Sequence, residues 1–222
     1  SKSRLIKMGE ISDNIFVIGA PGLDGISTTE LIPKETLLAQ YNINSDKPFV
    51  LLLFHPVVQH VNDIREQITI VVESLLSFDM QIIALMPNAD AGGRVIASTL
   101  KEYEKKNTIQ ITTHVTRRNF LSLVSKAVVL VGNSSSGIIE AASLGTPVVN
   151  IGSRQNLRER SNNVVDVSIE SSEIIDGINK AMLFNKNLFE NVYGDGESSK
   201  RIVSLLKDLD LNPIILGKVN AY

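Results

Sequence analysis

Residues 129–155, VLVGNSSSGIIEAASLGTPVVNIGSRQ, contain one whole folding unit. A short apolar run, VLVG, enters a cluster of small hydroxyl residues, and a stretch of small and apolar residues follows. Gly145-Thr146-Pro147 interrupts it, and a second apolar run, VVNIG, ends on Ser153 and Arg154. Strand, helix, strand, with neither strand alternating polar and apolar residues, is the pattern of a βαβ crossover in a parallel sheet covered on both faces.

The same alternation extends outward from this unit. Strands are predicted over 49–54, 81–87, 109–112, 127–132 and 147–152, and helices over 60–77, 92–106, 117–126, 135–144, 171–184 and 196–208. The expected fold class is α/β: a Rossmann-like parallel sheet with helices on both faces. The first 45 residues read differently. NIFVIGAPGLDGI (14–26) is predicted as a strand entering a Gly/Pro-rich loop, and a poorly periodic stretch through Pro33 to NINSDKP (42–48) has the composition of a linker. The expected organisation is therefore an entry segment and linker over 1–45, the Rossmann-like domain over 46–190, and a terminal helix and tail over 191–222.

Composition narrows the function. Of 222 residues, 43% are hydrophobic and 21% charged, enough for a sizeable core, and the formal net charge of -2 lacks the basic footprint of a nucleic-acid or membrane-surface binder. Zero cysteines exclude disulfides, cysteine nucleophiles and thiolate metal sites, and cytoplasm is the expected setting. No apolar run approaches the roughly 18 residues of a membrane span. The chain starts at Ser1 and its first apolar segment comes with no helix to cover it, which suggests a piece of something longer.

In doubly wound sheets, ligands bind beyond the carboxyl ends of the strands. The residues there are His55-Pro56, Asn88 to Gly93, His114, Asn133 to Gly137, and Gly152 to Arg158. The small hydroxyl residues at a helix start suit an anion, met by backbone N–H groups with Ser134 and Ser135 adding O–H donors and Gly132 and Gly137 keeping the loop open. The plainer reading is an N-cap, which needs one residue only. Glu140, a turn further on in an apolar helix, is placed to accept from the two hydroxyls of a ribose. Arg154 and Arg158 are offset by four, the spacing that puts two side chains on one helical face, and arginine's planar fork suits phosphate oxygens. His55, His60 and His114 come from different loops with no flanking acid at helical spacing, which argues against a metal. A neutral or protonated His55 can donate to a phosphate oxygen.

GNSSSGIIEAASLGTPVVNIGSRQNLRE, with FHPV (54–57), MPNADAGG (86–93), IGAPGLD (18–24) and YGDG (193–196), resembles the hydrolysing UDP-N-acetylglucosamine 2-epimerases of sialic acid biosynthesis. The five motifs occur in the family's order over most of the chain. The resemblance implies the C-terminal, UDP-binding half of a GT-B-like two-domain enzyme, with 1–45 as the end of the N-terminal domain and the interdomain linker and 191–222 as a helix and tail that pack toward the N-terminal domain, acting by anti elimination of UDP to a 2-acetamidoglucal and then hydration to N-acetylmannosamine. It implies His55 assisting UDP departure, Ser134 and Ser135 on the diphosphate, Glu140 on the ribose, Arg154 at the sugar or phosphate end, and Asn88 and His114 in the cleft, with Arg158 added from its spacing to Arg154 as a further substrate-binding residue. No cofactor or metal is implied. The implied partners are UDP, a UDP-N-acetylhexosamine, the N-terminal domain that carries the catalytic carboxylates, and a second copy of the full-length chain. This chain by itself is then expected to bind nucleotide without turning over. Three alternatives stay open: the donor half of a GT-B glycosyltransferase, an epimerase acting on a UDP-diacetamido sugar, or a nucleotide-binding module without catalysis. The non-hydrolysing epimerases fit less well, since FHPVVQH stands where they carry an arginine-rich loop.

Overall fold

The structure, a computed structural model, describes residues 2–57, 62–88, 90–113 and 115–209. In chain order the elements are α1 (Lys2–Lys7), α2 (Lys34–Gln40), β1 (Phe49–Leu53), α3 (Ile64–Leu76), β2 (Gln81–Leu85), α4 (Gly93–Lys105), β3 (Gln110–Thr112), α5 (Arg117–Lys126), β4 (Leu130–Gly132), α6 (Ser135–Ile139), β5 (Val148–Ile151), β6 (Val164–Val167), α7 (Ser171–Met182) and α8 (Ser198–Asp208). By contacts the chain divides into two compact units: Thr28–Val192, and a second unit of the residues up to Ser27 with those from Tyr193 onward.

The larger unit is a parallel sheet in the order β3-β2-β1-β4-β5-β6, the doubly wound arrangement expected. Strand β1 is buried along its whole length, and its side chains alternate between two cores. Val50 and Leu52 join Ile68, Val72, Ile96, Leu100, Ile174 and Ile178 on the face covered by α3, α4 and α7. Phe49, Leu51 and Leu53 join Leu37, Leu38, Leu123, Val124 and Ala141 on the face of α2, α5 and the segment after α6. An apolar run without polar alternation is what a strand covered on both faces requires.

Three local expectations need correction. Residues 15–20 form no strand; after a 3-10 turn over Ser12–Asn14 they run as loop through Gly19, whose φ is +91°. Residues 34–40, within the stretch of linker composition, form α2, whose Leu37 and Leu38 are buried and whose C-terminal neighbour Tyr41 accepts through its hydroxyl from Asn119 Nδ2 (2.8 Å). Strand β6 was not anticipated: it has four residues, it is half-buried, and Asp166 breaks the apolar run that would have announced it.

The smaller unit joins two motifs from opposite ends of the sequence. Ala20 N–H donates to Tyr193 O (2.8 Å), and Arg201 forks onto Asp195 (2.8 and 2.6 Å). Asp24 caps α8: its carboxylate accepts from Ser198 N (2.9 Å), Ser198 Oγ (2.6 Å), Ser199 N (2.7 Å) and the Ser199 hydroxyl. The residue in the N-cap position, Glu197, provides no such bond. These four donors hold the Asp24 carboxyl down at about 2, from an ordinary value of 3.8.

Candidate functional site at the switch point of the sheet

The strand order reverses between β1 and β4, and a crevice opens at such a point beyond the carboxyl ends of the strands. Gly132, the last residue of β4, has φ +138°, and a Cβ there would lie 2.0 Å from Leu53 O. Only glycine lets the two strands approach this closely before they part. Gly137 is likewise a packing residue, its Cβ position 3.0 Å from a Val148 methyl and 3.3 Å from a Leu130 methyl. Both glycines serve strand and helix packing, which corrects the expectation that they keep the loop open.

Asn133 follows. Its N–H donates to Leu53 O (3.0 Å), its Oδ1 accepts from His55 N (2.7 Å), and its Nδ2 donates to His55 O (2.8 Å). Its carbonyl accepts from Arg154 Nη1 (3.1 Å) and Gln155 Nε2 (2.8 Å). One residue thus ties the loops after β1, β4 and β5.

His55 is half-buried, and its Nδ1 accepts from Asn88 N (3.3 Å) in the loop after β2. Loss of solvent and the nearby Arg154 charge push its pKa below the ordinary histidine value, against an opposing pull from Asp90. With Nδ1 accepting, the neutral ring carries its proton on Nε2, a donor suited to an oxyanion. Asn88 Nδ2 is held by Asp90 Oδ2 (2.6 Å). His60 and His114 lie outside the described residues.

The hydroxyl cluster opens a helix shorter than expected. α6 ends at Ile139, and Ala141–Leu144 continue as a 3-10 turn closed by Gly145 at φ +67°. Five helical residues carry a smaller dipole than an unbroken run over 135–144, so positive potential at this loop must come largely from side chains. Ser134 is the N-cap: its Oγ accepts from Ser136 N (3.4 Å) and pairs with Ser136 Oγ (2.9 Å). Ser135 is the first helical residue and partly exposed. Glu140, at the junction with the 3-10 turn, bonds Arg117 Nη1 at 2.8 Å with a side chain 14% exposed.

Arg154 and Arg158 do not share a helical face, because residues 152–158 run as turns with Leu157 at φ +67°. Arg154 is tied to Asn133, while Arg158 is exposed and contributes its carbonyl to Arg160 Nη1 (2.8 Å). Arg160 also reaches Gln155 O (3.0 Å) and forks onto Asp166 of β6. Asn133 and Gln155 lie in loops that the sequence singled out but were given no functional role, and Arg117 and Arg160 escaped the reading of the sequence. An asparagine beside three serines passes for one more polar loop residue, the partner of Arg117 lies on an element that only the fold brings near, and Arg160, whose partners are within six residues, sits in a loop that no periodicity announces. Among the described residues, no three His, Cys, Asp or Glu side chains group as a metal site would require, and no helix is long and apolar enough to cross a membrane.

A doubly wound parallel sheet with a polar crevice at its switch point matches the Rossmann-like half of a GT-B-like architecture. The chain belongs to the UDP-N-acetylglucosamine 2-epimerase family, whose model matches residues 1–207. It is 45% identical, over all of its 222 residues, to the UDP-N,N'-diacetylbacillosamine 2-epimerase (hydrolyzing) of Legionella pneumophila, spanning 59% of that protein's length. It is 28% identical over 196 residues, 88% of the chain, to the UDP-N-acetylglucosamine 2-epimerase of Neisseria meningitidis serogroup B, of which it spans 52%. In fold it matches the crystal structure of the Methanocaldococcus jannaschii UDP-GlcNAc 2-epimerase in complex with UDP-GlcNAc and UDP, with a TM-score of 0.73 at 21% identity, over 93% of this chain and 58% of that one.

Proposed function

We propose that the chain is the UDP-binding half of a hydrolysing UDP-sugar 2-epimerase that works in the cytoplasm. The observation that carries this is the convergence of His55, the serine loop and Arg154 on one residue, Asn133, at the switch point. In this reading Ser134, Ser135 and Arg154 receive the diphosphate. Glu140, already paired with Arg117, accepts from the ribose hydroxyls, since a carboxylate has sites for more than one donor. Asn88, His114 and Arg158 take part in binding the UDP-sugar.

In the reaction a base removes the C2 proton, the C1–O bond to the diphosphate breaks, and UDP leaves with a 2,3-unchanged 1,2-alkene behind it. Water then adds its oxygen to C1 and a proton returns to C2 on the opposite face. His55 Nε2–H stabilises the charge that builds on the leaving diphosphate, where a positioned donor in a water-poor site is most effective. The base belongs to the domain that would precede this half, so this chain binds UDP but releases no 2-epimeric sugar. The nucleotide needs no metal, because arginine and backbone donors neutralise it.

Calorimetry of the 222-residue chain with UDP and a chelator tests the reading. A saturable one-to-one isotherm is expected, and binding that appears only with an added divalent metal would overturn it. The 45% identity to the Legionella enzyme, against 28% to the Neisseria one, favours a UDP-diacetamido sugar over UDP-N-acetylglucosamine as substrate. Product assays on the full-length enzyme with both sugars decide between them.

A further inference from the structure

Resting on the reading above, we propose that Asn133 is a positioning residue that sets His55 and Arg154 together, so that the donor to the leaving group and the cation beside it are placed by one side chain and one carbonyl. The ladder between β1 and β4 ends at Leu53 and Gly132. At the next residue of the β4 side the Asn133 carboxamide takes over as a substitute peptide group, facing His55 two residues beyond Leu53. It accepts from the His55 N–H at 2.7 Å and returns a donor to the His55 carbonyl at 2.8 Å. That pair fixes the backbone of a residue that would otherwise sit on an unpaired loop.

The main-chain carbonyl of Asn133 performs the second task. It takes one N–H of Arg154 at 3.1 Å and the Gln155 carboxamide at 2.8 Å, so the guanidinium is anchored by one donor and keeps others for an anion. Asn133 itself is 1% exposed, with a partner for each of its polar atoms. The chemistry selects asparagine. Aspartate keeps the acceptor but turns a second oxygen toward the His55 carbonyl, and alanine leaves both backbone groups of His55 unpaired in a half-buried place. Serine is too short to span them.

His55 itself reports the role. The charged groups facing it among the described residues are Arg154, from the loop after β5, and Asp90, from the loop after β2. Nitrogen-15 NMR of histidine-labelled chain reads its tautomer and titration without ligand, and shift titrations with UDP and with uridine separate the diphosphate contacts from the ribose contacts. For the unsubstituted chain, a single Nε2–H tautomer titrating below the ordinary histidine range is expected. In Asn133→Ala the tautomer becomes mixed, titration returns toward the ordinary value, and UDP weakens by about tenfold or more, the equivalent of one charge-assisted hydrogen bond, while uridine changes far less. Asn133→Asp, nearly isosteric, supplies the same readout if the alanine variant loses its native spectrum. It is expected to hold His55 charged to higher pH. Unchanged His55 signals in the folded variants, or equal losses for UDP and uridine, overturn the proposal. If the unsubstituted chain binds no UDP, the functional reading fails, and the His55 signals alone then decide whether Asn133 positions it.

Discussion

Ser135 and Glu140 stand five residues apart, yet the division of labour proposed for them separates in a single titration. Ser135→Ala removes a donor that only a diphosphate can use, so UDP affinity is expected to fall with little change for uridine. Glu140→Ala is expected to weaken both. Loss of one hydrogen bond to a charged group costs about 1.5–3 kcal/mol, roughly tenfold to a hundredfold in affinity. Calorimetry or shift titration that finds equal losses for the serine variant removes Ser135 from the phosphate. Leu157 allows a test of a different kind. It is a non-glycine residue in left-handed backbone, 84% exposed, spanned by the Arg160 bonds to the carbonyls of Gln155 and Arg158. That conformation costs an L-residue roughly 1–2 kcal/mol, whereas glycine adds about 0.4–1 kcal/mol of unfolded-chain freedom. Leu157→Gly is therefore expected to stabilise by up to about 1 kcal/mol, or ~2–4 °C in melting temperature. A lower melting point would mean that the leucine side chain contributes more than its exposure indicates. Residue types at strand ends disclosed His55, Ser134 and Arg154. Asn133, within a loop that the sequence singled out, was given no role because its importance lies in four partners, Leu53 and His55 at the end of β1 and Arg154 and Gln155 after β5, and no spacing rule links residues 55, 133 and 154.

Among the elements, helix α8 depends on a cap that its own sequence lacks. Asp24 holds the N–H groups of Ser198 and Ser199, with a carboxyl depressed to about 2. A carboxylate whose folded pKa lies below its unfolded value contributes stability in full above the unfolded value, near 3.8, and loses it as pH falls through about 2. Acid titration between pH 4 and 2 is expected to loosen the amides of α8 first, and Asp24→Asn, which keeps the shape, is expected to flatten that dependence. Hydrogen exchange that shows α8 indifferent to pH in this window counts against the cap. Helices α3, α4, α5 and α7 were legible because apolar period and polar flanks agree over ten or more residues. The α6 segment was read as one helix because nothing in GIIEAASLG marks the change of pitch at Glu140. α2 was missed because seven residues after a proline offer too short a period to separate from a loop, and its helicity rests on Leu37 and Leu38 finding a core.

For the whole molecule, the parallel sheet was legible from five unalternating apolar runs, whereas the pairing of Ser1–Ser27 with the residues after Tyr193 was not, since it depends on contacts between sequence ends. The two units differ in burial. Among the described residues of the smaller one, Leu23 and Ile26 are the buried apolar side chains, while Met8, Ile11, Phe16, Val17 and Leu206 are exposed. Exchange measured by mass spectrometry is expected to replace the amides of that unit well before those of β1, β4 and β5, because opening is cheapest where little apolar surface is covered. Uniform protection would contradict the division. The bond from Asp24 to Ser198 spans 174 residues of chain. During translation at about 5–20 residues per second, Asp24 therefore waits roughly 10–35 s on the ribosome before its partner exists. Thr28–Val192 is contiguous and can assemble in that interval, whereas the smaller unit cannot be completed until Ser198 and Ser199 have been made.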